Sequence, residues 1–437
     1  MQDSVGGPSP ELARGVALLC SLQRADGSVA GEVVWSPVIT AQYVLTAYLI
    51  GQPIESQRQA RFLRYFRQTQ TADGGWGFHP ESRGYVFVTA LVYVALRLLG
   101  LSADDPLCLQ VRLWLRDHGR VESIPSWGKL WLAMMNLYGY EGINPVLPEA
   151  WLLPRTLPLH PAQLYCHTRL IYLGFSYLYG VRFQLPAGDF IQQLRSELYQ
   201  QPFEAIPFRA FRHRLSPTDV YLAPNRLLRG LADLEGWYER HHRPGLRQRA
   251  LQRVLEYLLF HHRQTNGVSL SPVNGLLNVL ALSHAGYREG EEAFRGLDYW
   301  AWQDEEGGER FCGAHSQTWD TSFAVQALCE GPERQTASRF LSGAVRYLKR
   351  AQMIEEVPEP ERYYQDRRLG GFCFSDERHQ WPVSDCTAEA LSALGALESC
   401  LGPEAQLEPA RIVEAVRFVL SRQNADGGWG SFERRRG

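Results

Sequence analysis

The sequence lacks the features of several protein classes. Its longest apolar run, from Tyr85 to Leu96, falls short of the roughly 18 residues that a transmembrane helix needs. The amino-terminal segment MQDSVGGPSPELARG has no apolar signal-peptide core. Lys and Arg number 45 against 47 Asp and Glu, so the basic excess typical of nucleic-acid binding is absent. We therefore expect no membrane-spanning helix and no nucleic-acid partner.

The eight cysteines show no pairing pattern. They lie scattered along the 437 residues, at Cys20, Cys108, Cys166, Cys312, Cys329, Cys373, Cys386 and Cys400. Because no CxxC pair occurs, the sequence predicts neither a zinc ribbon nor a disulfide framework. The simpler expectation is a reducing, intracellular compartment.

Aromatic residues are abundant, with 12 Trp, 20 Tyr and 19 Phe, and several of them belong to a repeated segment. In each copy a helical apolar pattern ends in Gln and runs into a polar turn rich in Asp and Gly. The copies are RFLRYFRQTQTADGGWGF at 61–78, VRFVLSRQNADGGWGSF at 416–432 and the weaker ALLCSLQRADGS at 17–28. Glycine supplies the positive φ that ends the helix and turns the chain.

A second recurring element is a helix rich in Ala and small apolar residues. Such helices are predicted from Thr89 (TALVYVALRLLG), Thr321 (TSFAVQALCEG) and Thr387 (TAEALSALGAL), and near Ile39 and Asn274. Some of these runs are apolar almost all round, which indicates burial on most faces. Amphipathic helices alternating with buried ones predict stacked helical hairpins, in an open solenoid or a closed ring.

Strand patterns are sparse, so we predict an all-α fold. Three segments lack helical periodicity. They are a Pro-rich connection at 144–161, an irregular stretch at 185–224 and a polar, acidic loop at 354–368.

The repeats and four further segments resemble a known family. The Gln–Asp–Gly–Gly–Trp repeats are similar to the QW repeats of triterpene cyclases. The segment WPVSDCTAEAL at 381–391 is more specific, because it resembles the catalytic Asp-Cys-Thr-Ala-Glu motif of oxidosqualene cyclases. Three other segments resemble that family in the same order, PSWGKLWL at 125–132, LYCHTRLIYLGFSYLYG at 164–180 and SQTWDTSFAVQAL at 316–328. The Asp-x-Asp-Asp motif of squalene–hopene cyclases is absent.

The resemblance covers nearly the whole chain and implies an all-α double α/α barrel of the squalene cyclase type. Residues 36–299 would form an inserted barrel, and residues 1–35 with 300–437 the catalytic barrel. Family members continue past the repeat that here ends in SFERRRG. We therefore expect the second barrel to be incomplete, with a missing C-terminal part or a second chain as partner. The resemblance also implies a lipid substrate, peripheral membrane contact and no cofactor.

The resemblance makes Asp385 the acid that protonates an epoxide oxygen, with Cys386 as a hydrogen-bond donor to it. A carboxylic acid can do this only if it is neutral, which burial in an apolar cavity favours. Spacing alone gives a different interpretation, because Asp385 and Asp320 both lie where an Asp would cap a helix. The family motif favours the catalytic role for Asp385 and leaves Asp320 as a cap.

Four aromatic residues would line a dry cavity according to the resemblance: Trp127, Tyr165, Trp319 and Phe374. Aromatic faces stabilise carbocations without acting as nucleophiles. Without the resemblance, each would be interpreted as a core residue.

Two further residues take roles from the resemblance. His167 would lie near the late cation and the final deprotonation, and Val383, two residues before the acid, would shape the late cavity. Trp76 and Trp429 should instead pack at outer helix ends without contacting substrate.

The resulting hypothesis is a 2,3-oxidosqualene cyclase, an isomerase that makes a sterol or triterpene alcohol such as lanosterol. One alternative is squalene–hopene-type cyclisation, although Asp385 lacks the neighbouring carboxylates that would strengthen it for alkene protonation. A protein prenyltransferase-like barrel would need a zinc site. The pairs His241–His242 and His261–His262 do not provide one, because adjacent helical residues diverge and no Cys or carboxylate completes the ligands. The last alternative is an inactive helical scaffold.

Overall fold

The computed structural model describes residues 9–33, 36–79, 81–157, 160–220, 226–331 and 334–435. The chain divides into two compact units. The terminal unit comprises 1–33, 263–270 and 314–437, and the central unit comprises 34–262 and 271–313. This division into compact units does not test the predicted boundaries of the barrel domains at 36 and 299, which stay a prediction.

The all-α prediction is confirmed. The described residues form sixteen α-helices: α1 Pro10–Ser21, α2 Val38–Leu49, α3 Ser56–Gln68, α4 Val86–Leu98, α5 Pro106–His118, α6 Ser126–Met134, α7 Cys166–Gly180, α8 Asp189–Leu198, α9 Arg226–His241, α10 Pro244–Gln264, α11 Pro272–His284, α12 Glu289–Gly296, α13 Gln317–Glu330, α14 Ser338–Ala351, α15 Ser384–Leu401 and α16 Pro409–Ser421. Short 3₁₀ turns connect several of them.

The strands of the described residues are few and short. They are β1 Glu32–Val33, β2 Ala301–Asp304, β3 Gly308–Phe311, β4 Ala314–His315, β5 Phe372–Cys373 and β6 Pro382–Val383. They form three antiparallel pairs, β1 with β4, β2 with β3 and β5 with β6. Each pair is a local strand pairing between helices, and none of the three forms the centre of a hydrophobic core.

The core of the terminal unit lies between α13, α14 and α15. Helix α13 packs against α14 and α15, and α15 also packs against α16. Helix α14 is amphipathic, and Phe340, Ala344, Tyr347, Leu348 and Ala351 line its buried face. This spacing places them on one side of a 3.6-residue helix, so α14 covers the pair formed by α13 and α15.

The central unit is built around helices that are buried on most faces. Helix α2 packs against α4 and α11, α4 also packs against α6, and α11 also packs against α7. Every residue of α4 except Leu98 is buried, and every residue of α2 except Tyr48. At one close contact, a Cβ on Gly174 would lie 2.6 Å from the Cβ of Leu277. The predicted buried helices are confirmed.

The repeat turns share one hydrogen-bond pattern. In each, the Gln side chain donates to the carbonyl oxygen of a glycine that has positive φ. The pairs are Gln23–Gly27 (3.0 Å), Gln70–Gly74 (2.8 Å) and Gln423–Gly427 (3.2 Å). An Asp in each turn accepts the backbone N–H two residues further on; these are Asp26, Asp73 and Asp426. The turn is therefore a local structure that its own side chains stabilise.

Four threonines near the amino ends of buried helices tie each helix to an extended segment. Their Oγ1 atoms accept backbone N–H groups, in the pairs Phe311–Thr40 (3.0 Å), Trp76–Thr89 (2.9 Å), Val29–Thr321 (2.8 Å) and Phe372–Thr387 (2.9 Å). All four threonines are buried. They satisfy backbone donors of these extended segments.

The segments predicted as irregular differ in outcome. The Pro-rich connection contains the 3₁₀ turns Pro148–Leu152 and Pro161–Gln163, and its residues 158–159 lie outside the described part. The prediction that 185–224 is irregular is partly wrong, because α8 lies within this stretch. Residues 221–224 are outside the described part. The acidic loop contains only a 3₁₀ turn, Pro360–Tyr363.

No helix among the described residues has the length and apolar character needed to cross a bilayer.

Candidate active site

Asp385 lies in the first turn of α15, and its carboxylate has two hydrogen-bond donors. The backbone N–H of Cys386 donates to Oδ1 (2.8 Å), and the Ser431 hydroxyl donates to Oδ2 (2.9 Å). The N-cap position belongs to Val383, because the helix begins at Ser384. The interpretation of Asp385 as an N-cap is therefore wrong.

The Asp385 side chain is exposed in this chain, whereas its neighbours Ser384 and Cys386 are buried. The expected apolar enclosure of the carboxylate is thus not formed by the described residues. Asp385 points away from the face of α15 that packs on the core. Sequence reasoning missed Ser431, which the last repeat turn brings back to the start of α15.

Cys386 is buried against the core beside the acid. Burial raises the pKa of its thiol, and the adjacent Asp385 carboxylate and Cys373 raise it further. Burial likewise raises the pKa of Cys373, on strand β5. Both sulfurs therefore stay protonated, so the Cys386 thiol can act as a donor toward Asp385.

Trp319 and Phe374 form an aromatic pair within the terminal unit. Their ring centroids lie 5.9 Å apart with planes tilted by 33°, and Phe323 packs edge-on to Trp319 at 4.8 Å. The backbone holds the pair in place, because the N–H of Thr318 donates to the carbonyl oxygen of Ser375 (3.0 Å). Both rings of the pair are only half-buried.

Val383 is buried in strand β6, where it pairs with Phe372. It directly precedes α15 and so fixes the chain two residues before Asp385. Trp319, Phe374, Val383, Asp385 and Cys386 thus belong to one compact unit.

The other predicted site residues, Trp127, Tyr165 and His167, belong to the central unit. The Tyr165 ring stacks on the His167 ring at 5.4 Å, where α7 begins. The Cys166 sulfur lies 3.4 Å from His167 Nδ1. All three predicted residues are half-buried at the amino ends of buried helices.

Trp127 is oriented by a residue that sequence reasoning missed. With its amide oxygen turned toward them, Gln42 accepts hydrogen bonds from Trp127 Nε1 (2.7 Å) and Trp131 Nε1 (3.0 Å). Gln42 is buried within the apolar helix α2, and a buried amide needs such partners. A lone Gln inside VITAQYVLTAYL was the available signal.

Asp320 has a structural role, but it is not a helix cap. The N-cap of α13 is Ser316, and Asp320 lies in the first turn. Its carboxylate accepts hydrogen bonds from the Gly31 N–H (3.0 Å) and the Ser316 hydroxyl. Asp320 therefore fastens the segment next to β1 onto α13.

The histidine pairs do not assemble a metal site among the residues that the structure places. No group of three His, Cys, Asp or Glu side chains in that part of the chain could hold an ion. Burial and the charge of Arg169 lower the pKa of His261 to about 3, so its imidazole is neutral.

Two family models match the chain. The squalene-hopene cyclase N-terminal domain matches residues 12–306 and the squalene-hopene cyclase C-terminal domain matches residues 315–436. The helical fold, the repeat turns and the segment around Asp385 agree with this match, and the chain belongs to the squalene-hopene cyclase family.

The chain is also similar to curated sterol synthases. The chain is 37% identical over 430 residues to lanosterol synthase of Homo sapiens, covering 97% of this chain and 59% of that protein. It is 33% identical over 437 residues to cycloartenol synthase of Dictyostelium discoideum, covering 98% and 62%. The chain thus spans about three fifths of the length of these relatives, and the predicted family membership is confirmed.

Proposed function

We propose that this chain acts as a 2,3-oxidosqualene cyclase, converting (S)-2,3-epoxysqualene to a sterol or triterpene alcohol such as lanosterol. The observation that carries the proposal is the Asp385–Cys386 pair at the amino end of α15, in the same unit as the Trp319–Phe374 pair. The first supplies a proton donor with a thiol neighbour, and the second supplies aromatic faces for a cation.

The reaction begins when Asp385 transfers a proton to the epoxide oxygen. An exposed carboxylate is a poor donor at neutral pH, so the acid must lose its water. We propose that the hydrocarbon substrate provides this apolar cover, which favours the neutral acid. The Cys386 thiol, kept protonated by burial, then donates to the carboxylate and stabilises it after the proton has left.

The positive charge then moves through the folded hydrocarbon, where water would end the reaction early. We assign cation stabilisation to Trp319 and Phe374, and also to Trp127 and Tyr165. His167 stacks on Tyr165, and an imidazole is suited to accept the final proton. No cofactor is needed, because the substrate and one proton supply the chemistry.

We further propose a double α/α barrel, with residues 36–299 as the inserted barrel and 1–35 with 300–437 in the catalytic one. In the central unit, the packing order α6, α4, α2, α11 and α7 supports a ring of inner helices.

Peripheral membrane contact is supported by the outward face of α9. Leu227, Leu234 and Trp237 recur there at helical spacing and are 72%, 61% and 55% exposed, while Ala232 and Gly236 face inward. The adjoining flank carries exposed arginines at Arg226, Arg229 and Arg240. An apolar face with a basic flank is the pattern of a helix that lies in a membrane interface.

Activity is tested by incubating the full chain in detergent with epoxysqualene or squalene and analysing the products by mass spectrometry. We expect cyclic alcohols from the epoxide only. Asp385→Asn should lower turnover at least about 100-fold, because an amide cannot protonate the epoxide. Asp320→Asn is the matched control, since its amide oxygen can still accept a hydrogen bond, and it should stay active.

Three outcomes would contradict the proposed activity. Turnover of Asp385→Asn within about tenfold of wild type would exclude Asp385 as the acid. Cyclisation of squalene would favour the squalene–hopene-type alternative, and no product from either substrate would favour an inactive scaffold.

The assigned role of Val383 is tested by the product. Val leaves more space before Asp385 than a bulkier side chain would, so we expect a lanosterol-like or mixed product. A clean 9,19-cyclopropyl sterol would show that this role is wrong.

The membrane proposal is tested by flotation with phosphatidylcholine–phosphatidylserine vesicles. Replacing Leu234 and Trp237 by Ser should weaken vesicle binding. The matched control replaces Leu109 and Leu113 of α5, which are also exposed, and should leave binding unchanged. Equal binding of both double variants would contradict a role for α9.

A further inference from the structure

Two cysteines meet near the carboxyl ends of α13 and α15. The Cys400 thiol donates to the carbonyl oxygen of Cys329 at a distance of 3.7 Å. Burial, and after it the neighbouring Cys400, raise the pKa of the Cys329 thiol to about 12. All eight cysteines of the chain are free thiols in the structure, so this pair is reduced.

The packing around the pair places the two cysteines side by side in apolar surroundings. Cys329 is a buried member of the terminal core, and half-buried Cys400 packs against the same core beside Leu401. Helices α13 and α15 pack directly on each other. A disulfide requires neighbouring Cβ atoms and a short approach of the two sulfurs.

We propose that Cys329 and Cys400 form a site of reversible oxidation, a disulfide that joins α13 to α15. The oxidant is a low-molecular-weight disulfide. This inference is independent of the proposed cyclase activity, because it depends only on the two thiols and the packing of their helices.

The step proceeds by two thiol–disulfide exchanges. Cys400, the more accessible thiol, attacks one sulfur of the oxidant as its thiolate, forms a mixed disulfide and releases one small thiol. The Cys329 thiolate then attacks the Cys400 sulfur, closes the protein disulfide and releases the second small thiol. The two protons from the protein thiols end on the released thiols, and two electrons pass from the protein sulfurs to the oxidant.

The bond would act on helices that carry predicted site residues at their other ends. Trp319 lies in the first turn of α13 and Asp385 in the first turn of α15. A covalent link near Cys329 and Cys400 would fix the spacing of the two helices. Oxidation should therefore make the terminal unit more resistant to unfolding, because the link restricts the unfolded chain.

The test treats the full chain with oxidised glutathione and counts thiols after denaturation. We expect the number of free thiols to fall from eight to six, and dithiothreitol to restore it. Digestion with trypsin and a Glu-specific protease should place Cys400 in peptide 399–404, apart from Cys386. Mass spectrometry without reduction should show this peptide linked through Cys329 to peptide 311–330, with fragmentation distinguishing Cys329 from Cys312.

Variants make the assignment specific. Cys400→Ser should abolish the link and the rise in melting temperature on oxidation, whereas Cys20→Ser, which changes another half-buried thiol of the same core, should keep both. The wild-type peptide map needs no variant, so the test stands even if Cys400→Ser is unstable. Eight remaining thiols, glutathione retained on Cys400 or a link between other cysteines would overturn the proposal.

Discussion

The repeat turns that contain Trp76 and Trp429 have nearly the same sequence but different surroundings. Both use the same Gln-to-Gly hydrogen bond and the same Asp acceptor. Nevertheless Trp76 is 0% exposed and Trp429 is 47% exposed. The predicted packing at a helix end is therefore complete for Trp76 and partial for Trp429 within the described residues.

The difference comes from what packs over each turn. Trp76 Nε1 donates to the carbonyl oxygen of Phe66 (2.8 Å), and a Cβ on Gly75 would lie 2.8 Å from the Trp114 ring of α5. The backbone of Trp429 forms a bridge to Gln423 across its own turn, and its side chain is 47% exposed. Local sequence thus determines the turn, and a neighbouring helix determines whether its Trp becomes part of a core.

The largest expected effect is a difference between the two tryptophans. Trp76→Ala should lower the free energy of unfolding by about 3–5 kcal/mol, because it leaves a cavity. Trp429→Ala should cost under about 1 kcal/mol, because the ring is largely solvated already. Urea unfolding followed by circular dichroism measures both.

For Trp76→Ala, hydrogen exchange measured by mass spectrometry should show the loss of stability in residues 61–98. A large loss of stability in Trp429→Ala would mean that this ring is covered in solution, and the comparison would fail.

Substitutions of the buried threonines Thr89 and Thr387 should affect stability to a similar extent in the two units, because both side chains are equally buried. Replacing either by Val keeps the shape but removes the acceptor for the N–H of Trp76 or Phe372. Each substitution should cost about 1–3 kcal/mol, the penalty for a buried donor without a partner. The same unfolding experiment tests this, and a neutral Thr387→Val would show that the tie matters only in the central unit.

Much of the fold could be predicted because it is local. The helix predicted from Thr89 is α4, which begins at Val86, and all-round apolar character identified it as buried. The exposure of Asp385 could not be predicted, because it depends on which distant residues cover the first turn of α15. The partners Gln42 and Ser431 were missed for the same reason. Helix α9 is amphipathic, but it was not predicted from the sequence, because its apolar side does not face any of the predicted core helices.

The glutamines give a smaller contrast. Gln70→Ala removes a half-buried hydrogen bond to Gly74 (2.8 Å) and should cost about 1 kcal/mol, the usual net value of such a bond. Gln423→Ala removes a longer bond (3.2 Å) that is exposed, and it should cost less than half as much. Thermal unfolding of the two variants side by side measures the difference. Equal costs would indicate that burial does not set the strength of this bond.

The smallest expected effect depends on pH and concerns Asp73. Burial alone would raise its pKa, but hydrogen bonds from the Thr71 hydroxyl (2.5 Å) and the N–H groups of Gly84 and Gly75 outweigh burial and lower the pKa. A carboxylate with a lowered folded pKa stabilises the protein above its unfolded pKa, and this contribution is lost as the pH falls through the folded pKa. The stability of wild type should therefore decline below about pH 4, the ordinary Asp range.

Asp73→Asn should be less stable than wild type at neutral pH and should lose less stability on acidification, because the amide does not titrate. Asp426→Asn is the matched control. Both Asp residues are exposed, but residues 74–76 beside Asp73 are buried, whereas residues 425–427 are exposed, so water screens Asp426 more and its removal should change the pH dependence less. Urea midpoints between pH 3 and pH 7 test both variants. If Asp73→Asn followed the wild-type pH dependence, the acid sensitivity would arise from other carboxylates, and enclosure of the turn would not explain it.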